Sequence, residues 1–116
     1  MRLLIGKISI ALLTFVLSAT QGGAMENCSG QQAFWDNCFR SFRDATGNTY
    51  TGQFRRGKYH GHGSLRMTNG SKYSGTWRNG LFHGGGTYTY ADGSKYSGRF
   101  KAGLRHGSGT LRSAEG

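Results

Sequence analysis

The sequence predicts an all-β protein, an antiparallel meander of β-hairpins in one open sheet built from a repeated unit. Three observations carry this. Residues 50–116 hold the same 23-residue pattern three times. Within each copy apolar and polar residues alternate with a period of two, the mark of strands with one covered face. The 116-residue chain has 21 glycines and no proline, and Asn-Gly and Asp-Gly pairs stand between the alternating runs, where chain reversal is needed.

The copies read YTGQFRRGKYHGHGSLRMTNGSK from Tyr50, YSGTWRNGLFHGGGTYTYADGSK from Tyr73 and YSGRFKAGLRHGSGTLRSAEG from Tyr96. Eight columns recur in all three. Each copy opens on a packing triplet: Tyr50, Gly52 and Phe54; Tyr73, Gly75 and Trp77; Tyr96, Gly98 and Phe100. Then come Gly57, Gly80 and Gly103, the pairs His60-Gly61, His83-Gly84 and His106-Gly107, the set Gly63, Gly86 and Gly109, and the closing set Gly70, Gly93 and Gly116. A period of this length marks a repeat architecture, in which each unit buries its apolar face only against its neighbours.

The pattern Y-x-G-x-W/F-x-x-G-x-x-H-G-x-G resembles the MORN repeat (membrane occupation and recognition nexus) from Tyr50 to Gly116. The resemblance implies stacked hairpins. For function it implies contact with membrane head groups or with proteins, since arrays of this kind occur in proteins with unrelated roles. The repeats then cover 50–72, 73–95 and 96–116, preceded by an amino-terminal cap over 25–49 and, on the composition described below, a signal peptide over 1–24.

In the second copy Tyr73, Gly75 and Trp77 alternate with Lys72, Ser74, Thr76 and Arg78, and the return strand alternates Gly86, Tyr88 and Tyr90 with Thr87, Thr89 and Ala91. Asn69-Gly70 and Asp92-Gly93 are the dipeptides suited to tight primed hairpin turns, with Asn79-Gly80 in the other connection. Glycine weakens a strand, so Gly52, Gly75 and Gly98 are expected to leave room for a ring, from the next strand or the connecting segment, to lie flat on bare backbone.

This alternation creates two faces. One carries the aromatics of the packing triplets with Leu65, Tyr88 and Leu111. The other carries Arg55, Arg66, Lys72, Arg78, Lys95, Arg99, Lys101 and Arg112, which are either a solvated surface or a site for anionic ligands. The net charge is +10, and residues 25–116, with 13 basic and 5 acidic side chains, keep +8. Such an excess attracts anionic partners without selecting among them.

Residues 1–24 combine a basic start, MRLLIGK, an apolar run, ISIALLTFVL, and the small residues SATQGGA. That is the layout of a secretory signal peptide, with cleavage after Ala24, or alternatively after Ala19 or Thr20. The other reading, an uncleaved anchor, needs a longer apolar stretch, roughly 20 residues. Export to the periplasm, cell envelope or extracellular space follows, and an even pair of cysteines in an oxidising compartment, Cys28 and Cys38, reads as one disulfide. Beyond it, aligning Gly47 with Gly70 and Gly93 puts Phe42 in the column of Leu65, Tyr88 and Leu111. RSFRDATG is then the second strand of a worn unit, in which Arg40 stands where the family pattern has glycine and Asn27 where it has tyrosine.

No metal or cofactor site is expected. His60, His83 and His106 recur every two strands, about 10 Å apart at roughly 4.8 Å per strand, too far to share one zinc. They are expected to pack or hydrogen-bond within the long turn of each repeat. His60 and His62 lie nearer one another but lack further ligands. Catalysis finds no support either. The acids are Glu26, Asp36, Asp44, Asp92 and Glu115, with no paired carboxylates among them, and Gly84-Gly85-Gly86 precedes a strand rather than a helix.

The expected function is therefore a non-catalytic interaction module that contacts a protein partner or associates with itself. The alternative is a binder of anionic lipid head groups or acidic envelope polymers through the basic face. Nucleic acid is not expected, because export argues against it and the aromatic and basic residues fall on opposite faces, whereas single-strand binders mix them in one groove.

Overall fold

The computed structural model describes residues 25–115; the expected signal peptide and Gly116 lie outside the described residues. Eight strands form one sheet in sequence order: β1 (Glu26–Asn27), β2 (Cys38–Arg43), β3 (Thr49–Arg55), β4 (Lys58–Arg66), β5 (Lys72–Arg78), β6 (Leu81–Thr89), β7 (Lys95–Lys101) and β8 (Leu104–Arg112). Every neighbouring pair is antiparallel except β1 and β2, which run parallel. The sheet is the all-β hairpin meander that alternation and turn chemistry predict.

The primed turns fall elsewhere than expected. Arg56-Gly57, Asn79-Gly80 and Ala102-Gly103 join β3 to β4, β5 to β6 and β7 to β8, each pair with φ positive at both residues, as a type I′ turn requires. At Asn69-Gly70 and Asp92-Gly93 only the glycine has positive φ. There Gly70 N donates to the Met67 carbonyl (3.1 Å) and Met67 N to the Ser71 carbonyl (2.9 Å), and Tyr90, Gly93 and Ser94 repeat the scheme. These are three-residue loops, an ordinary turn followed by a glycine bulge. Asn69 and Asp92 serve by their side chains instead: Oδ1 of each accepts the backbone N–H of Ser71 or Ser94 (2.8 Å in both).

A second correction concerns the histidines. The connections carrying Gly57, Gly80 and Gly103 are only two residues long, so His60, His83 and His106 lie inside strands β4, β6 and β8 rather than in a long turn. Extra residues are absorbed by a bulge in each repeat. Gly52 pairs with Gly63 and Phe54 with Tyr59, so Gln53 alone faces residues 60–62. Gln53 fills the mismatch, its Oε1 accepting the His62 N–H (2.8 Å). Thr76 does so in the next repeat, its hydroxyl donating to the carbonyls of His83 and Gly85.

The core is a single aromatic layer on one face. Tyr50 and Tyr73 are fully buried. The ring that lies on each glycine pair comes from the same strand, two residues earlier, and not from a following strand or connection. The Tyr50 hydroxyl passes over Gly52 and Gly63 to donate to the Gln53 carbonyl (2.7 Å), and Tyr73 and Tyr96 reach Thr76 (2.8 Å) and Arg99 (3.2 Å) in the same way. Tyr59 and Phe82 stack on these rings at 3.8 and 4.0 Å, and in the third repeat the guanidinium of Arg105 takes that place over Tyr96 at 5.1 Å.

Successive repeats lock edge to face. Trp77 packs against Tyr50 of the preceding repeat at 5.3 Å and donates Nε1–H to the Gly63 carbonyl (2.9 Å), while Phe100 meets Tyr73 at 5.2 Å. Such aromatic pairs contribute roughly 0.5–1.5 kcal/mol each beyond burial. Each primed turn also donates backward, Gly80 N to the Tyr59 carbonyl (2.8 Å) and Gly103 N to the Phe82 carbonyl (3.0 Å).

The amino-terminal unit imitates this scheme with other residues. The Cys28–Cys38 disulfide is present and ties the residue that follows β1 to the first residue of β2. Trp35 is buried against Phe54 (4.8 Å) and Phe42 (5.6 Å), and its carbonyl accepts Gly57 N–H (2.7 Å), the role Tyr59 and Phe82 fill later. Arg40, in the column where glycine is usual, lays its guanidinium over Trp35 at 5.1 Å and donates to the Cys28 carbonyl (2.9 Å). Leu111 shares the aromatic face by its pairing with Tyr96 but stays 62% exposed, so it contributes little to the core.

Candidate functional site

The face opposite the rings is organised in rows that run across the strands. The register places Arg43, Thr49, Arg66, Lys72, Thr89, Lys95 and Arg112 opposite one another on consecutive strands β2–β8. Five of the seven positions are cationic. Two residues along each strand lies a second row, Ser41, Thr51, Ser64, Ser74, Thr87, Ser97 and Thr110, a hydroxyl on every strand. Alternate members pair, with Ser41 and Thr51 at 3.1 Å, Ser64 and Ser74 at 3.2 Å, and Thr87 and Ser97 at 3.1 Å.

The basic candidates all occupy this face. Arg66, Lys72 and Lys95 share the first row with Arg112. Arg55, Arg78 and Lys101 stand at the primed-turn ends of β3, β5 and β7, opposite Lys58, Leu81 and Leu104 respectively. Arg99 lies between the two groups, opposite Gly85. The structure therefore divides the candidates into a compact row at one end of the strands and a sparser line at the other.

The row contains directly opposed cations. Arg66 faces Lys72, Lys95 faces Arg112, and at the turn end Arg55 faces Lys58. Like charges placed directly opposite on neighbouring strands are unfavourable. Strands β3–β8 contain no Asp or Glu, so no carboxylate within them offsets these pairs. The three aspartates are engaged at turns: Oδ1 of Asp44 accepts Thr46 and Asn48 N–H (2.9 and 3.0 Å), Asp92 accepts the Ser94 hydroxyl, and Asp36 accepts Arg56 N–H (3.1 Å). The Thr46 hydroxyl on Asp44 and the Ser94 hydroxyl on Asp92 hold both carboxyls below their ordinary range.

The excess positive charge is felt by its neighbours. Partial burial, then the charges of Arg55 and Arg78, push His60 below the usual imidazole range. Its Nδ1 accepts the Asn79 N–H (3.3 Å), which requires that nitrogen to be unprotonated. Among the described residues no group of three or more histidine, cysteine or acidic side chains converges as a metal site would need.

Shallow depressions follow the rows. One of about 390 Å³ is lined by Phe39, Thr51, His62, Ser64 and Ser74, and one of about 220 Å³ by Thr49, Ser64, Arg66, Lys72 and Ser74. A third, about 350 Å³, lies among Lys95, Ser97, Thr110 and Arg112. Sequence reasoning missed Arg43, Lys58 and the entire hydroxyl row. The signal was present, since a small hydroxyl residue follows each triplet tyrosine, but its lateral continuity appears only once β4, β6 and β8 are in register with their neighbours.

No helix among the described residues is long and apolar enough to cross a membrane. The family model described as the MORN repeat matches residues 50–72, 73–95 and 96–116, and comparison with curated proteins returned no match. Repeats of this kind are generally protein or membrane interaction modules. With the matched residues spanning more than half of the sequence and folded as consecutive hairpins of one sheet, the chain belongs to the MORN repeat family.

Proposed function

We propose that this protein is a non-catalytic interaction module, exported to the periplasm, cell envelope or extracellular space, whose basic sheet face docks on an anionic partner. The observation that carries the reading is the opposition of Arg66 with Lys72 and of Lys95 with Arg112 on strands without acids. An anion seated between such pairs removes a repulsion already present in the free protein, so binding and folding stability are coupled. Export rests on the signal-like composition of residues 1–24, and the Cys28–Cys38 disulfide supports an oxidising destination.

The test is flotation of the oxidised protein with neutral and with anionic vesicles, alongside a soluble acidic polymer, at low and at raised salt. Binding to anionic probes alone, weakened by salt and by charge removal at Lys72 and Lys95, is the expected result. Absence of binding to every anionic probe overturns the reading.

Self-association is the second reading, favoured by β8, which is exposed along its whole length and presents Leu104 and Leu111 at 72% and 62% exposure. An exposed strand edge is a ready template for pairing. A concentration-dependent mass in solution, abolished by Leu104→Lys with Leu111→Lys, is expected if the edge pairs with a second copy; a constant monomer mass refutes it.

A further inference from the structure

We infer that the polar face of β2–β8 is a trough for a linear acidic polysaccharide, laid across the strands rather than along them. This rests on the anionic-partner reading above and names the chemistry of the partner.

Direction comes first. Along one strand the face passes from cation to hydroxyl and back to cation, Lys72, Ser74, Thr76, Arg78, whereas across the strands one row is hydroxyl on every strand and the other is cationic at five of its seven positions, with hydroxyls at Thr49 and Thr89. A ligand with a repeating chemistry along its length matches the lateral rows. Their spacing is that of neighbouring strands, about 4.8 Å, so seven strands present a track about 29 Å long. One strand interval is comparable to the length of one sugar ring in an extended chain.

Side-chain chemistry comes second. A row of hydroxyls offers both donors and acceptors to sugar hydroxyls, and the cationic row runs parallel to it two residues away, about 7 Å along the strand. A carboxylate or sulfate projecting from one edge of a sugar chain reaches Lys72, Lys95 or Arg112 while the rings rest on Ser74, Thr87 and Ser97. The depressions along this track hold the same two residue types on both sides of β6.

A bilayer fits this track less well. Rings are absent from the polar rows of β3–β8, because the register sends every aromatic of those strands to the opposite face. Of the exposed apolar side chains of this face, Phe39 borders the hydroxyl row at the β2 end of the track only, whereas Leu81 and Leu104 stand at the primed-turn ends, away from that row. A membrane contact therefore uses the turn edge and depends on Leu81 and Leu104, and that difference makes the two partners separable.

The experiment is calorimetric titration of the oxidised protein with galacturonate oligosaccharides of increasing length, with anionic vesicles as a parallel probe. Affinity is expected to rise with length until the seven-strand track is covered and then to level off. Lys72→Gln with Lys95→Gln removes two cations from the row and is expected to weaken binding about tenfold or more. Arg56→Gln with Arg105→Gln, which lowers the net charge equally but lies off the trough, is expected to change it only a few-fold.

Ser74→Val with Ser97→Val should weaken oligosaccharide binding while melting temperature and circular dichroism are kept, which a purely structural hydroxyl row does not predict. Binding without length dependence, or equal losses in the two glutamine pairs, overturns the trough. Vesicle binding that needs Leu81 and Leu104, with no oligosaccharide binding, overturns it in favour of a membrane and leaves the anionic-partner reading intact. Silence of both probes sinks both.

Discussion

The ring of Tyr73 lies across bare backbone on its own strand and the next. A Cβ at Gly86 would stand 2.6 Å from Cζ of Tyr73, and one at Gly75 would stand 2.8 Å from its hydroxyl oxygen. The two glycines are directly paired between β5 and β6, so a single tyrosine makes both positions intolerant of a side chain. This is the physical reason that glycine recurs in the middle of strands where it otherwise weakens pairing.

Gly86→Ala is accordingly expected to destabilise the protein by about 1–3 kcal/mol, the range for forcing extra carbon into a filled site. Gly75→Val should cost more than Ser74→Val, because Ser74 points to the polar face and is exposed. Thermal unfolding of the variants measures both effects. Equal melting temperatures for Gly75→Val and Ser74→Val would refute the packing role of the glycine.

Ala102 occupies the first position of a primed turn with φ +51°, where the equivalent residue of the preceding repeat is Asn79 with φ +50°. Asparagine tolerates the left-handed region and alanine does not. Ala102→Asn is therefore expected to stabilise the third repeat by about 0.5–1 kcal/mol, and Asn79→Ala to destabilise the second by a similar amount. Chemical denaturation midpoints at unchanged slope check the pair.

Breaking the disulfide acts on one end of a nearly one-dimensional array. Cys28→Ser with Cys38→Ser removes a short-loop crosslink, with an expected loss of about 2–3 kcal/mol. Because each hairpin touches only its neighbours, the loss should be local. Hydrogen exchange is expected to show faster opening around Trp35 and β2, with protection in β5–β7 kept. Uniform loss of protection across all strands would show that the array unfolds as one unit.

Alkaline pH should unfold the protein through its buried phenols. Burial pushes the Tyr73 hydroxyl from an ordinary 10.0 up to about 12, and Tyr50 is raised further for the same reason, with Tyr59 beside it adding to the effect. The unfolded chain loses these protons first. Their contribution is complete below pH 10 and is lost as pH rises through about 12. Phenolate absorbance followed with circular dichroism is expected to rise as structure is lost, and Tyr73→Phe should shift the transition to higher pH. Full ionisation of all tyrosines with the sheet intact would contradict the burial.

Much of this architecture was legible beforehand. The aromatic triplet Tyr73, Gly75 and Trp77 announced a strand with one covered face, and the column of Phe42, Leu65, Tyr88 and Leu111 correctly placed β2 as a worn return strand. The basic candidates share the face that alternation assigned them. What misled was local turn chemistry. Asn-Gly is compatible with a two-residue and a three-residue hairpin, and the Asn69 and Asp92 side chains, by capping Ser71 and Ser94, select the longer one. Arg56 and Ala102 gave no comparable signal, because neither prefers the conformation its turn imposes.

The period, the strand faces, the disulfide pair and the excess of positive charge are written along the chain, because each depends on neighbouring residues or on composition. What those residues meet is set by the fold. The bulge opposite Gln53 sets which side chains stand beside one another on β3 and β4, and from that register follow the flat seat of Tyr50 on Gly63, the place of Arg105 over Tyr96, and the lateral rows of hydroxyls and cations. Lateral order between strands arises from pairing at a distance, and a pattern written along the chain does not contain it until the register is known.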